Sequence, residues 1–210
     1  AERFAAQGVS FVVSMVLARI LMPEDYGAVA IINIFISIAD VFLSSGLNTS
    51  LIQKRDADDL DFSTIFYLNL GLSLALYLVL FGTAPFIAQA YDMPILKSTI
   101  RVFALRIPVS AFQVIQVAYI SKKMQFKKFF FATITGTILS AVVGIAMAIK
   151  GMGVWALIGQ YLTNTVIDTM MLWATVKWIP KKMFSIKAAV PLIKYSWKVM
   201  MTDLLGTLCN

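Results

Sequence analysis

Four charged side chains fall inside long apolar stretches of the sequence, where they are best placed to do chemistry: Arg19, Asp40, Arg106 and Asp168. A guanidinium group binds phosphate or carboxylate oxygens through paired hydrogen bonds. A carboxylate inside a membrane binds a proton or a cation, or pairs with a basic side chain. A charge at the centre of a membrane helix costs about 2.5–3.5 kcal/mol on insertion scales, so each of the four should face protein or water.

Arg19 lies at the end of the first apolar stretch, shortly before Pro23. Its long side chain can reach the membrane interface, or pair with Glu24 or Asp25. Alternatively, it faces a cavity and contacts an anionic head group, because arginine suits bidentate phosphate binding. Both interpretations stay open, and the second makes Arg19 a candidate substrate-binding residue.

Arg106 has the same two kinds of interpretation. It either forms an ion pair inside the membrane with Asp40 or Asp168, or binds an anionic substrate. The two aspartates are in turn either proton or cation sites or counter-charges that hold helices together. The residues alone do not favour one of these roles over the other.

Polar side chains recur at helical spacing in three of the apolar stretches, so each set shares one helix face. The sets are Asn33, Ser37, Asp40 and Ser44; Arg106, Ser110 and Gln113; and Gln160, Asn164 and Asp168. Several inward polar stripes predict a hydrated central cavity, which favours a transporter or channel over a passive anchor. The candidate cavity or coupling residues are Asp40, Gln113, Asn164 and Asp168.

Small residues recur at every fourth position in two other stretches. They are Ala6, Ser10, Ser14 and Ala18 in the first, and Ala132, Gly136, Ser140, Gly144 and Ala148 in the second. Small faces let helices approach closely in lipid, so close packing in the bundle is the favoured interpretation. A surface on which helices slide during a conformational change is the alternative.

The sequence lacks the residues that several other kinds of chemistry need. The sequence contains no histidine and a single cysteine, Cys209, which excludes a Cys/His metal site, an internal disulfide and Ser-His or Cys-His catalysis within this chain. The acidic cluster Asp56, Asp58, Asp59 and Asp61 lacks the glycine and terminal glutamate of a calcium loop, so we interpret it as a solvated loop. We predict no metal and no cofactor.

The elements that position these residues follow from composition. The chain of 210 residues is 60% hydrophobic and 14% charged, against about 45–50% and about 25% in soluble domains. Its apolar blocks have the length of about 20 residues that crosses a bilayer. We therefore predict an all-α, polytopic transmembrane helical bundle. We also expect both chain ends to be truncations, because the chain begins at Ala1 and stops inside an apolar run.

Six spans are predicted, followed by a basic connector and the start of a seventh span. The spans are residues 4–21, 27–47, 62–84, 101–120, 128–149 and 154–176. The third span alternatively continues past Pro85 to Tyr91, the fourth has a kink near Pro108, and a tight turn lies at 150–153. The connector is 177–194 and the broken span is 195–210. Residues 1–176 would form one transmembrane lobe.

Basic residues predict the orientation of the bundle, because cytoplasmic loops are enriched in lysine and arginine. The loops after the second, fourth and sixth spans hold Lys54, Arg55, Lys122, Lys123, Lys127, Lys128, Lys177, Lys181, Lys182, Lys187 and Lys194. The opposite side holds Lys97, Arg101 and Lys150, with Arg19 near a helix end. The N-terminus is therefore predicted to be cytoplasmic. The basic residues form no single face or arm, so the net charge of +7 does not indicate nucleic-acid binding.

Five segments resemble the bacterial polysaccharide (O-antigen and exopolysaccharide) flippases of the multidrug/oligosaccharidyl-lipid/polysaccharide exporter superfamily. They are ARILMPEDYG at 18–27, Gly46-Leu47 followed by LIQ at 51–53, APFIA at 84–88, KMQFKK at 123–128 and GMGVWAL at 151–157. The similarity runs along the whole chain, and the order and spacing of the segments carry it.

The resemblance implies that the chain is the N-terminal lobe of a two-lobe, non-enzymatic flippase of the bacterial inner membrane. Its substrate would be an undecaprenyl-pyrophosphate-linked oligosaccharide, and membrane lipid and polysaccharide polymerase or assembly proteins would be its partners. Family members bind the pyrophosphate through cavity arginines. Arg19 is the first position to which this role carries over, whereas Arg106 rests mainly on its polar stripe.

Three other functions remain open from the residues. A cation-coupled multidrug exporter of the same superfamily would have mostly acidic cavity residues. An integral-membrane enzyme of polysaccharide synthesis would need a large extramembrane loop with paired carboxylates or a catalytic base. A membrane scaffold would not need the polar stripes.

Overall fold

The computed structural model describes residues 2–44, 51–52, 57–123, 126–176, 178–185, 190 and 201. In these residues the fold is all-α, which confirms the predicted helical bundle. The helices are α1 (Glu2–Ile20), α2 (Pro23–Ser44), α3 (Asp59–Ala90), α4 (Ile95–Phe103), α5 (Arg106–Lys123), α6 (Phe126–Ile149) and α7 (Val154–Thr175).

Helix α2 begins at Pro23, four residues earlier than predicted. Proline fits the first helical position because its fixed φ suits the helix and its missing N–H is not needed there. Glu24 and Asp25 lie in the first turn, where acidic side chains favour the helix dipole. The Asp25 carboxylate also accepts a hydrogen bond from the Met22 backbone N–H at 3.1 Å, which holds the corner between α1 and α2.

Helix α3 begins at Asp59 because Asp58 caps it. The Asp58 carboxylate accepts the Asp61 N–H at 2.9 Å, and the Asp61 carboxylate accepts the Asp58 N–H at 3.2 Å. This reciprocal pair is a capping box, which satisfies two N–H groups that a helix start leaves without partners. At its other end α3 continues through Pro85 to Ala90.

The predicted fourth span is two helices with a break at Ala104 and Leu105. Pro108 has no N–H to offer the Ala104 carbonyl, which instead accepts the Ile107 N–H at 2.9 Å in a tighter three-residue turn. The break therefore lies on the N-terminal side of the proline and makes Arg106 the first residue of α5.

Helices α6 and α7 form a hairpin through a turn that needs two glycines. Gly151 and Gly153 have φ of 73° and 53°, a region that L-residues with a side chain rarely adopt. A Cβ atom at Gly153 would also lie 2.8 Å from the Asp25 carboxylate. This turn therefore packs against the corner between α1 and α2.

The core has two parts. One lies among α1, α2, α4 and neighbouring helices and includes Leu17, Ile32, Ile36, Phe103 and Ile107. The other lies among α3, α5 and α7 and includes Phe62, Ile65, Ile115, Ile120 and Leu172. Large apolar side chains also stay exposed on the outside, as expected of helices that face lipid rather than water.

Within the described residues, four helical segments are long and apolar enough to cross a membrane: Pro23–Leu43, Asp59–Ala90, Ile95–Lys123 and Phe129–Ile149. The third segment comprises α4 and α5. The apolar part of α1, Ser10–Ile20, is shorter, and α7 is not among the four. Membrane crossing by α1 and α7 stays a prediction, as do the two-part division at 177 and the broken span at 195–210.

Candidate functional site

The structure joins two of the predicted site residues directly. Arg106 Nη2 lies 3.3 Å from Asp40 Oδ2, and the two side chains are 28% and 32% exposed. Asp40 belongs to the polar stripe of α2, in which Asn33 and Ser37 are also half-buried. The face of α2 next to this stripe packs into the core, so the stripe lies at the edge of that contact. The ion pair is one of the two arrangements that the sequence left open for Arg106.

Helix α5 presents Arg106, Ser110 and Gln113 along one side, and both Arg106 and Gln113 are half-buried. The guanidinium carbon of Arg106 lies 5.9 Å from the ring centre of Phe103, across the helix break. This geometry holds the cation beside an aromatic face within an apolar bundle. The helix break therefore decides where the guanidinium group lies.

The polar stripe of α7 meets the small-residue face of α6. A Cβ atom at Gly136 would overlap the Asp168 carboxylate and lie 3.1 Å from the Asn164 side-chain nitrogen. A Cβ atom at Gly144 would lie 2.9 Å from that of Gln160. The face on α6 is therefore a packing surface, which meets polar side chains at Gly136 and Gly144 and joins the hydrophobic core at Ala132 and Ala148.

Asp168 is buried, at 7% exposure. Its Oδ1 atom has no hydrogen-bond partner among the described residues. A buried charge without a partner is costly, so this position suits a carboxyl group that binds a proton. The roles of Asn164 and Asp168 in a cavity or in coupling stay predictions.

Arg19 lies in the last turn of α1 and is exposed. Pairing with Glu24 or Asp25 is one of the alternatives that the sequence leaves open for Arg19, but no such ion pair occurs among the described residues. Asp25 instead bonds the Met22 N–H. Helix α1 packs mainly on α6, whereas Arg106 lies on α5, so no described contact brings the two arginines together.

The small-residue face of α1 is largely exposed within the described residues, so its role in packing stays a prediction. Ser10, Ser14 and Ala18 are exposed, whereas Val13 and Leu17, which lie beside them on the helix surface, are buried. Small residues allow close approach but do not dictate it, and here the larger apolar residues make the contact. The side chain of Ala6 lies outside the described residues.

The acidic cluster is not a solvated loop, which corrects a second expectation. Asp61 is buried and Asp58 caps α3. Asp59 accepts a hydrogen bond from Trp178 Nε1 at 3.1 Å and pairs with Lys181 Nζ at 2.6 Å. The described acids therefore build the start of α3 and hold the connector, while Asp56 lies outside the described residues.

The connector residues 178–185 are bound along the ends of α3 and α5. The Ser63 and Thr64 hydroxyl oxygens accept the backbone N–H groups of Lys181 and Ser185, at 3.0 and 3.2 Å. Gln116, which is fully buried, donates to the Trp178 carbonyl at 3.1 Å. Because Ser63, Thr64 and Gln116 bind backbone groups, they recognise the path of the connector rather than its sequence.

Aromatic rings complete this contact. The Trp178 ring stacks on Tyr119 with centres 5.9 Å apart and an angle of 26°, and it lies 5.7 Å from Phe62. Sequence reasoning missed Gln116 and Trp178. Gln116 continues the Arg106–Gln113 stripe by one turn, but no pattern indicated that its partner lies 62 residues away.

Arg101 also has a structural role. Pro85 has no N–H, so the Phe81 carbonyl lacks its usual donor within α3. Arg101 Nε donates to that carbonyl at 3.3 Å, and its guanidinium carbon lies 4.3 Å from the centre of the Phe81 ring. The helix passes through the proline because a neighbouring helix supplies the missing donor.

No group of three or more His, Cys, Asp or Glu residues in the described ranges has the arrangement of a metal site. Among the residues predicted for the site, the charged groups are the Asp40–Arg106 pair, the exposed Arg19 and the buried Asp168.

Comparison with known proteins identifies relatives of this chain. The model of a family described as "Polysaccharide biosynthesis protein" matches residues 16–210. The succinoglycan biosynthesis transport protein ExoT of Rhizobium meliloti is 26% identical over 197 residues, which cover 94% of this chain and 40% of ExoT. The lipopolysaccharide biosynthesis protein WzxC of Escherichia coli is 25% identical over 168 residues, covering 78% of this chain and 33% of WzxC.

An uncharacterized membrane protein in the cps region of Klebsiella pneumoniae is 24% identical over 139 residues, which cover 64% of this chain and 29% of that protein. No solved structure matches the chain. The chain spans at most two fifths of the length of these relatives. The family match covers most of the chain and agrees with the resemblance found in its sequence segments, so the chain belongs to the family of polysaccharide biosynthesis membrane proteins that includes the polysaccharide flippases.

Proposed function

We propose that this chain is the N-terminal lobe of a flippase that moves an undecaprenyl-pyrophosphate-linked oligosaccharide across the bacterial inner membrane for surface polysaccharide synthesis. One observation carries the proposal: Arg106 is a partly exposed cation inside an apolar helical bundle, in a chain whose relatives include a polysaccharide transport protein. An arginine there can bind a diphosphate while the lipid tail stays in the bilayer. The protein would act as a transporter rather than as an enzyme.

Arg106 and Arg19 would bind the diphosphate, and Asp40 and Gln113 would line the cavity beside Arg106. Asn164 and Asp168 lie against Gly136 of α6. Asn164 is half-buried, whereas Asp168 is buried and would need a movement of α7 along α6 to become exposed. We assign these two residues to coupling rather than to direct sugar contact. Membrane lipid and the polysaccharide polymerase and assembly proteins would be the partners.

The orientation proposed here has the N-terminus in the cytoplasm. Supporting it, the start of α3, the end of α5 and the connector after α7 meet at one end of the bundle, through Asp59, Tyr119 and Trp178. That end carries Lys122, Lys181 and other basic residues, as cytoplasmic loops do. The α6–α7 turn and the α1–α2 corner meet at the opposite end.

Transport would proceed by alternating access between this lobe and a second one. The membrane potential is negative inside, so it drives an anionic head group outward, by about 2.3 kcal/mol per charge per 100 mV. A roughly doubly charged diphosphate would gain about twice that amount. The rate of flipping should therefore rise with an imposed inside-negative potential.

The test uses the full-length gene in a flippase-null strain and the full-length protein in liposomes. Removal of hydrogen bonds to a charged group costs about 1.5–3 kcal/mol, so Arg106→Gln should slow flipping roughly 10- to 150-fold. Arg106→Lys keeps the charge and should retain part of the rate. The matched control is Lys97→Gln, which changes an exposed lysine on α4 and should leave the rate of flipping unchanged.

If Arg106→Gln is expressed as well as the wild type and flips substrate at the wild-type rate, the proposed diphosphate site at Arg106 is wrong. A rate indifferent to the imposed potential would contradict the electrical driving force but not the site.

A cation-coupled multidrug exporter of the same superfamily is the second candidate. The buried Asp168, whose Oδ1 lacks a partner among the described residues, favours it. If drug efflux by the full-length protein depends on a proton gradient and is lost in Asp168→Asn, while surface polysaccharide is unaffected, this candidate replaces the first.

A further inference from the structure

The Asp40–Arg106 pair is looser and more accessible than an ion pair built only to hold helices together. Charge-assisted hydrogen bonds between guanidinium and carboxylate are usually about 2.7–2.9 Å long, whereas this contact measures 3.3 Å. About a third of each side chain is exposed. An ion from the surroundings can therefore reach the guanidinium group without unfolding the bundle.

The two partners are held by different means. Arg106 begins α5 at the break before Pro108, next to the Phe103 ring, so backbone geometry sets its position. Asp40 lies one turn before the end of α2, on the half-buried stripe at the edge of the core contact. Its short side chain presents a carboxylate where a substrate anion would contact the arginine.

We propose that Asp40 is a resident competitor for the diphosphate at Arg106, and so sets how tightly the site binds anions. In the substrate-free state its carboxylate occupies the guanidinium group. A diphosphate carries more charge and more acceptor oxygens than a carboxylate, so it replaces Asp40. This inference rests on the proposed function, because it takes Arg106 as the diphosphate ligand.

Removal of the competitor should strengthen the binding of every anion that uses Arg106. Partly exposed ion pairs contribute little net stability, in an amount that corresponds to a roughly two- to fivefold change in a binding constant. Asp40→Asn keeps the size and shape of the side chain but not its charge. It should bind a diphosphate about two- to fivefold more tightly, and a monophosphate should gain by a similar factor, because a competitor reduces the available fraction of the site for both anions alike.

The experiment measures binding of farnesyl diphosphate and farnesyl monophosphate to the full-length protein in detergent, by isothermal titration calorimetry. The variants are Asp40→Asn, Asp40→Ser, Arg106→Gln and the double variant Asp40→Asn/Arg106→Gln. Asp92→Asn is the matched control, because Asp92 lies in the exposed turn after α3 at a positive φ that asparagine also tolerates. Thermal melting checks that each variant is folded, and Asp40→Ser replaces Asp40→Asn if the latter is not.

Tighter diphosphate binding in Asp40→Asn, lost again in the double variant, supports the inference. Unchanged or weaker binding in a folded Asp40 variant overturns it, provided that Arg106→Gln has lost binding, and the proposed function then stands. If Arg106→Gln binds as tightly as the wild type, the proposed diphosphate site fails and the inference fails with it.

Discussion

Trp178 should be the residue that holds the connector to the bundle, and replacing it should release residues 178–185. Its side chain is 6% exposed and contacts the Phe62 and Tyr119 rings, while its indole N–H bonds Asp59. Trp178→Phe removes the indole hydrogen bond and keeps a ring in place. Trp178→Ala removes both.

The two changes differ in expected size. A hydrogen bond contributes about 0.5–1.5 kcal/mol net, and the Asp59 side chain is 44% exposed. We therefore expect a loss near 1 kcal/mol for Trp178→Phe, which is about fivefold in the opening equilibrium. Replacing a buried tryptophan by alanine costs about 3–5 kcal/mol, which corresponds to more than about 100-fold.

Amide hydrogen exchange of the full-length protein, read by mass spectrometry, measures this opening. The Lys181 and Ser185 amides donate to α3 side chains, so they exchange only when the connector leaves the bundle. Exchange in the 178–185 peptide should be faster by about the two factors given above. Trp173→Phe is the matched control, because it loses an indole bond to the Phe112 carbonyl and its ring contacts are with Phe66 and Phe112.

Exchange in Trp178→Ala within twofold of the wild type would refute the reasoning, since the connector would then be held by something other than these contacts. Equal acceleration in Trp173→Phe would also refute it, because the effect would then report general loosening of the bundle.

Two further predictions concern stability. Gly136→Ala should lower the melting temperature of the full-length protein in detergent, because the added Cβ overlaps a carboxylate and overpacking costs about 1–3 kcal/mol. Gly71→Ala is the control, because its Cβ meets nothing within 4 Å, and it should leave the melting temperature unchanged or raise it. An equal fall in the two variants would contradict this prediction. Arg101→Met should destabilise the protein by about 1 kcal/mol, because the Phe81 carbonyl loses its hydrogen-bond donor. The loss should be smaller in a Pro85→Ala background, where the backbone N–H of residue 85 can donate to that carbonyl. Identical losses in the two backgrounds would argue against this role of Arg101.

Pattern reasoning located the helices well and their contacts poorly. Gly151 and Gly153 predict a turn that the structure contains, and Pro108 predicts a break that lies a few residues before it. Helix starts were less accurate, because the Asp58 cap and Pro23 extend α3 and α2 beyond their apolar cores. Local chemistry explains each of these, since caps, prolines and glycines act within one helical turn.

Contacts between distant residues were beyond the reach of such patterns. Arg106 had two possible aspartate partners, and only the packing of α2 against α5 selects Asp40. No pattern in the sequence indicated that Asp168 lies against Gly136. The Arg101 bond to the Phe81 carbonyl could not be expected without knowing that α4 packs on α3 beside Pro85.

Composition and the length of the apolar blocks suffice for the class of this protein, because a bilayer sets both the hydrophobicity and the length of the helices that cross it. The family resemblance likewise lies in short local segments. Composition and helix length do not determine which face each helix turns inward. In lipid the outer face is as apolar as the inner one, so hydrophobic periodicity does not mark the interior. Partners such as Asp40 with Arg106, and Trp178 with Asp59, are therefore selected only when the whole bundle packs.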